Sequence, residues 1–152
     1  MNKEYEYAGF KIRFLAMILD LIIFSAVAIP LMIAIYGSNA VFSGNGEILG
    51  VADVIINFIL PVIYSVLMWH FKSATFGKIL LKIKIVDEQT GNKPTIFQSL
   101  GRYIGYIVST IPLFIGFIWI AFDSKKQGWH DKISKTVVIR KKKVTDDVSF
   151  SN

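Results

Sequence analysis

Asp20 lies in the middle of an apolar run, Leu15 to Ile35, with Arg13 seven residues before it. A carboxylate inside a bilayer costs about 2.5–3.5 kcal/mol on insertion scales, so such a group has a partner or a task. The spacing puts Arg13 and Asp20 on one helix face, ~10.5 Å apart along the axis. Two chemistries fit. In one, Asp20 takes up a proton or a cation, and Arg13 tunes it. In the other, both belong to a buried ion network that fixes helix packing. Asp123, His130 and Asp131 form a second group just after the last apolar run. Two carboxylates and an imidazole can shuttle protons, or bond Arg13, Arg102 or helix ends. Asp53 and Asn57 make a third, a polar stripe with Pro61 one turn further on. Its plainer reading is an interfacial carboxylate that caps a helix.

The remaining polar groups carry less. Ser25, Ser65, Ser109 and Thr110 can add oxygens, but in membrane helices such hydroxyls usually bond their own backbone or a neighbouring helix. Pro30, Pro61 and Pro112 each deprive a carbonyl one turn back (Ala26, Asn57, Val108) of its helical donor. Freed carbonyls near carboxylates resemble broken-helix cation sites, although proline kinks are common in membrane helices. With no cysteine, no HExxH pattern, no Gly-rich phosphate loop and no nucleophile elbow, the sequence makes no case for an enzyme, a metal or a cofactor.

The elements that must hold these groups are membrane spans. Hydrophobic residues are 53% of the 152 and the mean hydropathy is +0.52. That is too apolar for an ordinary soluble domain. The first span is predicted from Phe14 to Tyr36, led by an amphipathic interfacial helix over residues 5–13. Glu4, Glu6 and Asp20 argue against a cleaved signal peptide. The second span is predicted from Val51 to Phe71, with Trp69 and His70 at its interface. The third apolar run, Tyr103 to Phe122, is interrupted by Pro112 and Gly116.

Charge placement then sets the topology. The net charge is +6, but the Lys and Arg flank apolar runs. They suit anionic lipid headgroups and topology control rather than nucleic acid. The leader, residues 72–102 and the tail are basic, whereas residues 37–50 contain no Lys or Arg. Three straight spans would place the most basic segment outside. A re-entrant turn at Pro112–Gly116 instead puts leader, second linker and tail on the inner side, with a cytoplasmic N-terminus. Two strand-like segments agree: Leu81–Val86 alternates apolar and basic, and Thr136–Arg140 is β-branched. Pairing them requires one side of the membrane. Thr95 and Gln98 form a capping-box pattern that starts a helix bearing Gly101 and Gly105 at small-xxx-small spacing.

Taken together, the motifs resemble the RDD family of membrane proteins. The resemblance covers residues 7–140. It rests on Tyr7–Ala16 with Asp20, on Thr75–Asp87 (Thr-Phe-Gly-Lys-Ile-Leu-Leu-Lys-Ile-Lys-Ile-Val-Asp), and on Phe122-Asp123 with Gln127–Lys132. It implies that Arg13 and Asp20 are the family's first-helix pair, and that its second Asp is Asp123 or Asp131. It also implies a small multi-pass protein suspected of transport.

The expectation is therefore an all-α membrane protein: two full spans plus a broken or re-entrant third segment, and a minor two-stranded β element on the inner face. Residues 1–140 form the membrane domain and 141–152 a basic, polar tail. The carboxylates and Arg13 are expected to converge at the inner third of the membrane, so that Asp20→Asn would partly rescue Arg13→Ala. The partners are the bilayer and either a second copy or another membrane protein, because so few spans hardly enclose a path.

Overall fold

The computed structural model describes residues 4–43 and 47–142, so most of the expected tail lies outside the described residues. A strand β1 (Tyr5–Tyr7) precedes the long helix α1 (Phe10–Tyr36). After a short helix α2 (Ser38–Phe42), the chain returns through α3 (Val51–Val54), a π-helical turn (Ile55–Ile59) and α4 (Leu60–Lys72). The π turn sits just before Pro61, which lacks the amide needed to continue a regular ladder. These two helical stretches are long and apolar enough to cross a membrane. Apolar side chains such as Leu21, Val27, Phe58 and Ile63 stand exposed around them, as suits helices that face lipid.

Ser73 adopts a left-handed conformation (φ 59°) and ends α4. A one-turn helix α5 (Phe76–Leu80) follows and packs against α1, then leads into β2 (Ile83–Asp87). Helix α6 (Ile96–Thr110) opens with the expected capping box: the Thr95 hydroxyl accepts the Gln98 amide, and Gln98 Oε1 accepts the Thr95 amide. The third apolar run is a bend. Leu113 and Phe114 take positive φ (50° and 63°), and the segment from α7 (Ile115–Ile118) to Ala121 turns 114° from α6. Gly116 makes that turn possible, because a Cβ there would stand 2.7 Å from the Ser109 Cα. A last short helix, α8 (Trp129–Ile133), precedes β3 (Thr136–Lys141).

The sheet has three strands in the order β1–β3–β2, both pairs antiparallel. β2 and β3 pair as expected, with Ile85 opposite Val138. The third strand corrects the expectation of a helix from residue 5. Tyr5-Glu6-Tyr7 alternates, Gly9 is extended and caps α1, and β3 offers a free edge that β1 fills. The Glu6–Arg140 ion pair (2.5 Å) fastens that edge. Lys141, the first residue of the expected tail, pairs with Tyr5 inside the sheet. Because one sheet holds all three strands, residues 5–7, 83–87 and 136–141 lie on one side of the membrane, and the bent third segment must return to it.

Beneath the sheet, Ala8, Ala16, Trp69, Ile83, Ile85 and Val138 form the main buried cluster. Trp69 is therefore core rather than interface. At the far end of the spans, Ala28, Met32 and Ile56 form a smaller cluster with Phe24 and Tyr36.

Candidate functional site

The structure separates the expected network into two. The first is centred on Asp131, which is 0% exposed. Its Oδ2 meets Arg13 Nη1 at 2.5 Å, and its Oδ1 meets Arg102 Nη1 at 2.5 Å. The second contact is an ion pair without good hydrogen-bond alignment. The Gly128 amide also donates to Oδ2 (2.9 Å). Burial pushes the Asp131 carboxyl up, but the two guanidiniums outweigh it and hold the group well below the usual carboxylate range.

Arg13 uses every face of its guanidinium. Nε donates to the Ala8 carbonyl (2.8 Å), Nη1 to Asp131, and Nη2 to the Lys126 carbonyl (2.7 Å). It thus ties the start of α1 to the loop before α8. Arg102 donates to the Thr136 hydroxyl (2.6 Å) and lies over the rings of Trp69 (5.5 Å) and Tyr106 (5.8 Å). Those π faces supply part of the compensation that one carboxylate cannot give two cations. Helix α8 reaches the pair because Gly105 lets it approach: a Cβ there would lie 2.6 Å from the His130 Cα. Gly101 meets nothing within 4 Å, so only half of the small-xxx-small spacing is used.

His130 packs against Tyr106 (4.4 Å) and Phe117 (5.0 Å). Its Nδ1 is 3.5 Å from Ser109 Oγ, and its Nε2 is 3.5 Å from Asp131 Oδ2. Burial, together with the charges of Arg102, Arg13 and Lys78, outweighs Asp131 and lowers its pKa to about 3, so the ring is neutral. Asp123 is outside this cluster. It pairs with Lys132 (2.5 Å) and accepts the Lys125 and Gln127 amides. Of the two candidates for the family's second carboxylate, Asp131 is the one that meets Arg13.

The second network is centred on Asp20, ten residues and ~15 Å along α1 from its first residue. Arg13 is not its partner, which corrects the expected convergence. Among the described residues Asp20 forms no ion pair. Oδ2 accepts the Thr75 hydroxyl (2.5 Å) and Oδ1 accepts the Gly77 amide (2.7 Å). Gly77 permits this close contact, since a Cβ would stand 2.2 Å from the Ala16 carbonyl oxygen. Lys78 is buried, and its ammonium lies 3.4 Å from Thr75 Oγ1. The Phe76 amide donates to Tyr64 Oη (3.0 Å) beside them. Thr75, Gly77 and Lys78 were missed as site residues. The signal is a hydroxyl, a glycine and a cation inside one four-residue stretch, 75–78, just after α4.

At the opposite end of the spans, Asp53 accepts the Leu49 amide (3.0 Å) and the Asn57 side-chain amide (2.6 Å) from within the first turn of α3, whose N-cap is Gly50 without a side-chain bond. The hydroxyls of Ser109 and Thr110 bond the carbonyls of Gly105 and Tyr106 one turn back. Among the described residues no cluster of three His, Cys, Asp or Glu side chains is placed to hold a metal.

Two apolar spans, a bent third segment and a sheet joining their near ends define a small multi-span helical membrane protein. The chain belongs to the RDD family, whose profile matches residues 7–135. An uncharacterized protein of Rickettsia prowazekii is 31% identical, over 92% of this chain and 99% of its own length. The uncharacterized protein YxaI of Bacillus subtilis is 37% identical, over 88% of this chain and 97% of its own. The uncharacterized membrane protein YteJ of the same organism is 30% identical, over 91% of this chain and 84% of its own. No solved structure matches significantly.

Proposed function

We propose that the chain is a multi-pass cell-membrane protein that exchanges a cation against protons at Asp20, working as an oligomer. The observation that carries this reading is the state of Asp20. It is an intramembrane carboxylate, only half-buried, held by a hydroxyl and an amide and, among the described residues, by no cation within salt-bridge distance. A carboxylate offers about four acceptor positions, and two are taken here. The other two are open to a proton or a cation. Two spans and a bent segment do not enclose a path, so a second copy or another membrane protein must complete it.

The positive-inside rule sets the orientation. The sheet side carries Lys11, Lys72, Lys82, Lys84, Lys93 and Lys132, while residues 37–50 carry no cation. We read the sheet side as cytoplasmic and in contact with anionic headgroups. A cysteine at Ser43 is then labelled from outside and one at Thr90 from inside; the reverse pattern overturns the orientation.

The test of exchange is cation-dependent proton flux in proteoliposomes. Asp20→Asn should abolish it. Flux equal to wild type in that variant removes Asp20 from the mechanism. A second reading, a non-catalytic membrane adaptor, is favoured by the first network alone. All three nitrogens of the Arg13 guanidinium are engaged and Asp131 has no exposed surface, as in a static lock. Under that reading the wild-type chain carries no flux.

A further inference from the structure

Lys78 differs from the other buried cations of this chain. Arg13 and Arg102 each touch a carboxylate at 2.5 Å. Lys78 is 8% exposed, yet among the described residues its ammonium forms no ion pair. Among the described residues its one hydrogen bond is to Thr75 Oγ1, at 3.4 Å. An ammonium has three protons to donate, and leaving a buried charge so poorly matched is costly.

The same hydroxyl explains the arrangement. Thr75 donates its proton to Asp20 at 2.5 Å, so its lone pairs are free to face Lys78. The hydroxyl is polarised between ammonium and carboxylate, and the three groups form one chain of charge, dipole and charge. Helix geometry imposes the order, because Thr75 caps α5 and Lys78 lies three residues further on, over the same turn.

We infer that Lys78 is a tethered cation of the Asp20 site. At rest its ammonium balances Asp20 through Thr75. An external monovalent cation binds Asp20 by displacing it, and the four-carbon stem lets the ammonium withdraw toward the interface. The local charge is the same before and after, which makes the exchange inexpensive. The ligands within reach of the site are oxygens: the Asp20 carboxylate, the Thr75 hydroxyl and, beside them, Tyr64 Oη. Such a set suits a small hard cation such as lithium or sodium. This inference rests on reading Asp20 as the exchange site.

The experiment is thermal unfolding of the purified full-length chain in detergent, with lithium, sodium or potassium chloride replacing choline chloride at constant ionic strength. Lys78→Gln should gain a cation-specific rise in Tm at a concentration at least tenfold below that needed by wild type. Asp20→Asn, and Asp20→Asn with Lys78→Gln, should show no rise. Lys78→Arg keeps a permanent cation in place and should need more salt than wild type. A Lys78→Gln chain that is less stable but has no gain in cation response overturns the inference. If Lys78→Gln does not fold, Lys78→Arg decides alone: a response equal to wild type overturns it. Flux separates the two proposals. Asp20-dependent flux without the Tm pattern refutes the tethered cation and leaves exchange standing. The Tm pattern without wild-type flux refutes exchange and leaves Lys78 as the counter-cation of Asp20.

Discussion

Asp20 and Asp131 are both carboxylates inside an apolar protein, and they are held in opposite ways. Asp131 has no exposed surface and lies between two guanidiniums. Asp20 is half-buried and, among the described residues, receives only a hydroxyl and a backbone amide. The elements around them differ as well. Asp131 joins α1, α6 and α8 beneath β3, so moving it would disturb four parts of the fold. Asp20 joins α1 to α5, a single turn of helix. A buried charge surrounded by fixed opposite charges is expensive to alter, whereas one held by neutral donors can change its occupant. Under the proposed exchange, Asp131 is thus a lock and Asp20 a site.

The largest effect should come from breaking the lock. Asp131→Asn leaves two guanidiniums without a counter-charge and should cost about 3–5 kcal/mol or more. Thermal unfolding in detergent should show a large fall in Tm or little folded protein. Arg13→Ala should cost nearly as much, about 3–5 kcal/mol, and Arg13→Lys should recover only part, since an ammonium cannot reproduce three directed bonds. Because Asp20 does not touch Arg13, adding Asp20→Asn to Arg13→Ala should restore nothing. Rescue in that double variant would rejoin the two networks.

An intermediate effect is expected where α5 meets α1. Gly77→Ala places a methyl against the Ala16 carbonyl oxygen and should cost about 1–3 kcal/mol, as overpacking does. It should also detach Thr75 and the Gly77 amide from Asp20. Loss of flux with the fold retained is the expected readout; wild-type flux in this variant would separate α5 from the site.

His130 gives a pH-dependent effect that is small near neutral pH and grows on acidification. Its pKa is lowered to about 3 in the folded chain, against an ordinary 6.5. Between those values the unfolded chain binds a proton that the folded chain does not, so stability rises with pH. On acidification from pH 7 the fall should begin near pH 6.5 and approach about 1.4 kcal/mol per pH unit. His130→Gln should remove that slope, and an unchanged slope would assign it elsewhere.

Local patterns carried much of the fold. Apolar length revealed the spans, Thr95 and Gln98 marked the start of α6, and the alternation at Leu81–Val86 gave a strand that needed a partner. The excess of lysine on three segments, set against its absence in residues 37–50, implied that the third apolar run turns back. The site was legible only in its residue types. Arg13 and Asp131 are 118 positions apart, and no periodicity encodes which of two nearby aspartates makes that contact. Gly105 and Gly128 decide it by letting α8 approach, which becomes visible only in three dimensions. Asp20 failed to pair with Arg13 for a related reason. Two turns of one helix separate them, and α5, one turn long, supplied nearer donors than the sequence had suggested.

If stability and the proposed exchange reside in different carboxylates, one variant measured for both should separate them. Asp20→Asn keeps an oxygen to accept one donor and should cost only about 1 kcal/mol. Its Tm should stay within a few degrees of wild type, while its cation-dependent proton flux in proteoliposomes vanishes. Flux that persists, or that is lost only in step with the Tm, would show that Asp20 is not a separate exchange site.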